Sequence, residues 1–127
     1  MHNVTLILQL IIALGIFNVW LLRTNRATDY RGGNAQTMEE EFRVYGFSRR
    51  FMYVIGAIKV TLAVLLLIGF WVPQLAAFAG FVMGALMLAA VLMHVKVHDP
   101  VKKAVPAFLM FLMSLLVFVL AGNVQSS

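Results

Sequence analysis

Four apolar runs, each about as long as the roughly 20-residue helix that crosses a bilayer, dominate this sequence. They cover about 4–22, 51–71, 75–95 and 101–122 of 127 residues. Hydrophobic residues make up 62% of the chain and charged residues 12%, whereas a soluble domain carries about 25% charged residues. The expectation is all-α: a membrane-spanning four-helix bundle forming one domain over residues 1–127. The link Trp71-Val72-Pro73-Gln74 is too short for anything but an antiparallel hairpin, and Pro73 cannot continue the preceding helix. The first run has no basic residue before it and is too long for a signal-peptide core, so it reads as a retained span.

Charge fixes the expected orientation. Nine of the ten lysines and arginines fall in or beside two loops, Arg23–Arg50 and Lys96–Lys103. The 71–74 turn and both ends have none. The positive-inside rule places both basic loops in the cytoplasm and both termini outside, in an inner (plasma) membrane. The net charge of +5 then reads as a topology signal and a lipid contact, and not as a nucleic-acid footprint. With no cysteine in the chain, disulfides, thiolate metal sites and a CxxC relay carried by this chain are excluded.

The exception to this apolar pattern is Lys59, the only charge between Phe51 and Trp71. A lysine near the centre of a span costs about 2.5–3.5 kcal/mol on insertion scales, so something must answer it. No span contains an acid, and an ionic partner must come from a loop. In the first loop, Thr37 and Glu40 have capping-box spacing and Gly46 is a helix stop. This predicts a short amphipathic helix over about 38–45. Met38, Glu41, Phe42 and Tyr45 share one stripe, while Glu39 and Arg43 can pair opposite. Glu41 is therefore the acid expected at the bundle mouth, paired with Lys59 directly or through Asn18 or Gln9. Such a centre either fixes the fold, or binds a small anionic or carbonyl-bearing molecule, or passes protons. Tyr45 and Arg31 join it as candidates. Catalytic residues are not identifiable.

Other features are weaker signals. His94 and His98 have i, i+4 spacing suited to metal, but Asp99-Pro100 follows at once and reads as the cap and first residue of the last span. A metal site is not expected, and haem has too few histidines inside the spans. Met83, Met87, Met93, Met110 and Met113 suggest an adaptable interior or ligand cavity. Gly80 and Gly84 allow close helix approach, inside the bundle or in a homo-oligomer.

Several of these segments resemble one family. Asn18-Val19-Trp20-Leu21-Leu22-Arg23, Tyr30-Arg31-Gly32-Gly33, Glu41-Phe42-x-x-Tyr45-Gly46, Gly56-x-x-Lys59 and His94…His98-Asp99-Pro100 look like the DoxX-like membrane proteins over nearly the whole chain. The resemblance implies a four-helix membrane bundle whose polar centre matches Glu41 and Lys59. Family members are linked to thiosulfate:quinone oxidoreduction, to membrane oxidoreductase complexes and, in animals, to receptor assembly. Thiosulfate chemistry is not carried over, because this sequence supplies no thiol site. The expected function is an accessory or ligand-binding bundle for a quinone, a lipid or a membrane partner. The alternatives are a quinone-linked oxidoreductase subunit with a redox protein partner, or a small transporter.

Overall fold

The computed structural model describes residues 2–22 and 30–126. Arg23 and Arg26, counted above as topology signals, lie outside the described residues. The architecture is all-α: α1 (His2–Phe17), α2 (Met38–Val44), α3 (Arg49–Ile68), α4 (Pro73–Lys96) and α5 (Val101–Ser126). All but α2 belong to segments long and apolar enough to cross a membrane. α1 continues into a π-helical turn over Asn18–Leu22, a widening of the helix that often marks functional sites.

The spans pack through a core of Ile12, Ala13, Ile16, Leu62, Ala63, Leu66, Met83 and Val117. Small residues let α4 and α5 approach most closely. A Cβ on Gly80 would lie 2.9 Å from the Ser114 carbonyl oxygen and 3.0 Å from the Phe118 nitrogen. Gly84 also faces Ser114. This glycine face is therefore covered by α5 of the same chain. Gln9, buried in α1, donates from Nε2 to the Leu66 carbonyl at 2.7 Å. It ties α1 to α3 where lipid offers no competing partner.

α2 forms as its caps dictate. Thr37 Oγ1 accepts from the Glu40 N–H at 3.2 Å, and Arg43 pairs with Glu39 at 3.0 Å. At the other end Gly46 takes φ +90°. There the Phe47 N–H donates to the Phe42 carbonyl at 2.8 Å and the Gly46 N–H to the Arg43 carbonyl at 2.9 Å, which is a Schellman turn. Met38 and Phe42 are buried with Met52. The Phe42 ring lies 6.0–6.4 Å from those of Trp20, Tyr45, Phe47 and Phe51. Burying one such ring stabilises docking by about 1.5–3 kcal/mol. α2 thus sits across the end of the bundle that carries the two basic loops.

A second Schellman turn ends α4. His98, with φ 58°, donates to the Val95 carbonyl at 3.0 Å, and the Asp99 N–H donates to the His94 carbonyl at 3.0 Å. Asp99 therefore does not cap α5, contrary to the sequence expectation. Its carboxylate turns back onto the end of α4.

Candidate functional site

All four spans and α2 enclose a cavity of about 530 Å³ at this end of the bundle. That is the size range of small-molecule sites. Its wall is mostly apolar, with Ile16, Phe51, Met87, Met93, Ala107 and Met110 among the lining residues. Lys59, Glu41, Asn18, Tyr45 and Arg31 line it too, and so do His94 and Lys103. Gln9 does not: its amide is committed to Leu66 deeper in the bundle. The expected direct pair between Glu41 and Lys59 is also absent; neither is within ion-pairing distance of the other among the described residues. Their charges interact only through space across the cavity.

Lys59 is positioned by a notch in its own helix. Gly56, one turn earlier, has no side chain, and the Trp20 indole fills the gap; a Cβ there would lie 2.5 Å from Cζ3. The π-helical turn carries the indole into that place. The Lys59 ammonium lies 5.6 Å from the Trp20 ring centroid. This cation–π contact contributes about 0.5–2 kcal/mol, which is less than the insertion cost of the charge.

Glu41 is held from the loop side. Its Oε2 accepts from the Gly32 N–H at 3.2 Å and lies 3.7 Å from the Arg31 guanidinium. Arg31 is itself only 4% exposed and also donates to the Met38 sulfur at 3.5 Å. Burial pushes the Glu41 carboxyl above its ordinary range, against the opposing pull of Arg31 and the Gly32 N–H. Burial also pushes the Tyr45 hydroxyl up, reinforced by the charges of Glu41 and Asp99.

A line of polar contacts runs from Glu41 along the cavity wall, through Tyr45 and His94, to Asp99. Tyr45 Oη lies 3.4 Å from Glu41 Oε1 and 3.4 Å from His94 Nε2. His94 Nδ1 lies 2.7 Å from Asp99 Oδ2. Asp99 Oδ1 accepts from the Gly33 N–H at 3.0 Å, and Lys103 donates to the Gly33 carbonyl. Burial works to raise the Asp99 carboxyl, but the hydrogen bonds from His94 and Gly33 and the charges of His94 and Lys103 outweigh it. The carboxyl stays below its ordinary range. Because Asp99 is an acceptor, it fixes the His94 tautomer with the proton on Nδ1, leaving Nε2 toward Tyr45.

His94 and His98 do not share a helical face, since His98 lies in the left-handed turn past the end of α4. Among the described residues no group of three or more His, Asp or Glu is placed to hold a metal. Sequence reasoning missed the roles of Trp20, Asp99 and Lys103. The signal available for Trp20 was Gly56-x-x-Lys59, which leaves a flat seat beside a buried charge.

The sequence profile of the DoxX-like family matches residues 31–118, which include α2, the whole of α3 and α4, and most of α5. The chain belongs to the DoxX-like family. No curated protein and no solved structure gives a significant match. The DoxX-like match takes in Arg31, Glu41, Tyr45, Lys59, His94, Asp99 and Lys103. Asn18 and Trp20 stand before its start. With its four apolar spans, this DoxX-like chain is a multi-pass integral membrane protein.

Proposed function

We propose that this DoxX-like protein binds a small, largely apolar molecule with a polar head, a quinone or a lipid, in the cavity under α2. The observation that carries the reading is Lys59. Its ammonium borders an apolar cavity, and no carboxylate among the described residues lies within ion-pairing distance. A carbonyl or anionic head would supply the missing partner while an apolar tail fills the methionine-lined space. Asn18, Glu41, Tyr45 and Arg31 would complete the polar wall. The basic loops support a mouth on the cytoplasmic side of an inner membrane, with both termini outside.

A small-transporter reading is favoured by one observation: the Glu41 carboxylate lines the cavity, which supplies the acid that the spans lack. The test for binding is native mass spectrometry of the detergent-solubilised protein beside Lys59→Met. A bound small molecule on the wild type, lost from a folded Lys59→Met variant, supports the proposal. A quinone would point to an oxidoreductase subunit and a lipid to an accessory role. Identical ligand-free spectra would refute it.

A further inference from the structure

The contacts around Tyr45 impose a count of protons. Tyr45 has a single O–H, yet its oxygen is equally close to Glu41 Oε1 and His94 Nε2, at 3.4 Å each. His94 Nδ1–H is already committed to Asp99 at 2.7 Å. If Glu41 is ionised and His94 neutral, one of the two atoms facing Tyr45, Glu41 Oε1 or His94 Nε2, has no donor among the described residues. One added proton satisfies both, in either of two arrangements. In the first, Glu41 is protonated and donates to Tyr45 Oη, while Tyr45 donates to a neutral His94. In the second, His94 is an imidazolium donating from Nε2 to Tyr45 Oη, and Tyr45 donates to an ionised Glu41. The two interconvert when His94 Nε2 gives its proton to Tyr45 Oη as the Tyr45 proton passes to Glu41 Oε1. No charge enters or leaves the chain.

We propose that Glu41, Tyr45, His94 and Asp99 form a relay that takes up one shared proton, and that its uptake selects an anionic over a neutral occupant of the cavity. The proposal rests on the ligand-binding reading above and names the ligand class for that site. The charged and titratable groups around the relay come from every side except α1. Arg31 faces Glu41 from the loop, Lys59 from α3 and Lys103 from α5, while Lys96 on α4 donates to the Tyr45 carbonyl at 3.0 Å. With the proton taken up, on Glu41 or on His94, the cavity wall carries one more positive charge beside Lys59, Arg31 and Lys103, and it takes an amphiphile with an anionic head. Without it, Glu41 is a carboxylate beside a neutral His94 and offsets part of that positive charge, and a neutral occupant fits. Burial of Glu41, which favours its protonated form, supports the first arrangement.

The experiment compares octyl sulfate, a permanently charged anion, with octanol, the neutral analogue of equal chain length. Both are titrated into the protein in lipid nanodiscs from about pH 5 to 8, with empty nanodiscs as baseline. Octyl sulfate affinity should fall as pH rises, by up to about tenfold per pH unit where one proton is coupled, while octanol affinity stays flat. Infrared difference spectra should show a protonated-carboxyl C=O band growing on octyl sulfate binding and missing in Glu41→Gln. Tyr45→Phe keeps the ring and removes the connecting hydroxyl. It should move the pH midpoint upward, because the charged form of Glu41 loses a donor; a merely structural Tyr45 would leave the midpoint in place. Saturable binding of both probes with flat pH profiles would overturn the relay and leave the cavity reading intact. Absence of saturable binding for both would overturn the two together.

Discussion

Gly56→Ala isolates the seat that Gly56 provides for Trp20. In a helix interior, alanine is favoured over glycine by about 1 kcal/mol, so the substitution would be stabilising if space allowed. Here the new Cβ meets Trp20 Cζ3 at 2.5 Å and Cε3 at 2.6 Å. The ring would have to retreat by about 1 Å to reach ordinary carbon contact. It has little room to do so, since its other side contacts Phe42 at 6.0 Å between centroids. Overpacking of this kind costs about 1–3 kcal/mol, and displacing the indole from Lys59 removes a contact worth about 0.5–2 kcal/mol. Gly15→Ala is the control. Its Cβ would meet only Met110, Cε at 3.5 Å and Sδ at 3.9 Å, both ordinary contacts, and the helix-propensity gain is shared by both variants. Gly56→Ala should therefore be less stable than Gly15→Ala by about 1–3 kcal/mol in reversible unfolding in mixed micelles. In a Trp71→Phe background, which leaves Trp20 as the sole tryptophan, Trp20 emission should change in Gly56→Ala alone. Equal stability with unchanged emission would refute the packed Gly56–Trp20–Lys59 arrangement.

Further outcomes follow from the same contacts. Gln9→Leu removes the amide donor to Leu66 and should cost about 0.6–2 kcal/mol in unfolding while leaving ligand binding unchanged. The two left-handed caps predict opposite signs: Gly46→Ala at φ +90° destabilises, and His98→Gly at φ 58° stabilises, each by about 1 kcal/mol, read from unfolding midpoints. Glu41 is raised in the folded state, so its favourable contribution is present below its ordinary 4.5 and is lost as pH climbs through the raised value. Glu41→Gln should abolish that loss in unfolding measured against pH. Asp99 is lowered, so its contribution is present above its ordinary 3.8 and is lost as pH falls through the lowered value. Asp99→Asn should abolish the acid-side loss.

Local features were legible in the sequence. The spans follow from run length. α2 follows from Thr37, Glu40 and Gly46, and the inward turn of Glu41 follows from its place on the Met38–Phe42–Tyr45 stripe. Partner choice was less legible, because it depends on contacts far apart in sequence. The glutamate nearest Lys59 by helical logic is instead held by Arg31 and Gly32, whose loop is pinned to the α4–α5 turn by Gly33 and Asp99, 66 residues apart. Asp99 before a proline resembles a helix cap. It serves His94 because His98, a non-glycine residue, adopts the left-handed conformation, which sequence propensity disfavours. The π-helical turn at Asn18–Leu22 likewise has no local signature, since Trp20 is drawn into place by the gap at Gly56 on another helix.

The central claim is that an apolar molecule with a polar head occupies the space between Trp20, Lys59 and α2. The most direct measurement is contact quenching of Trp20 by a bromine-labelled octyl sulfate in the Trp71→Phe background, with and without the cavity-filling substitution Ala90→Phe. Saturable quenching that unlabelled octyl sulfate reverses, and that Ala90→Phe abolishes in a folded protein, is the predicted result. Quenching that rises in proportion to probe in the bilayer and is unchanged by Ala90→Phe would contradict the account.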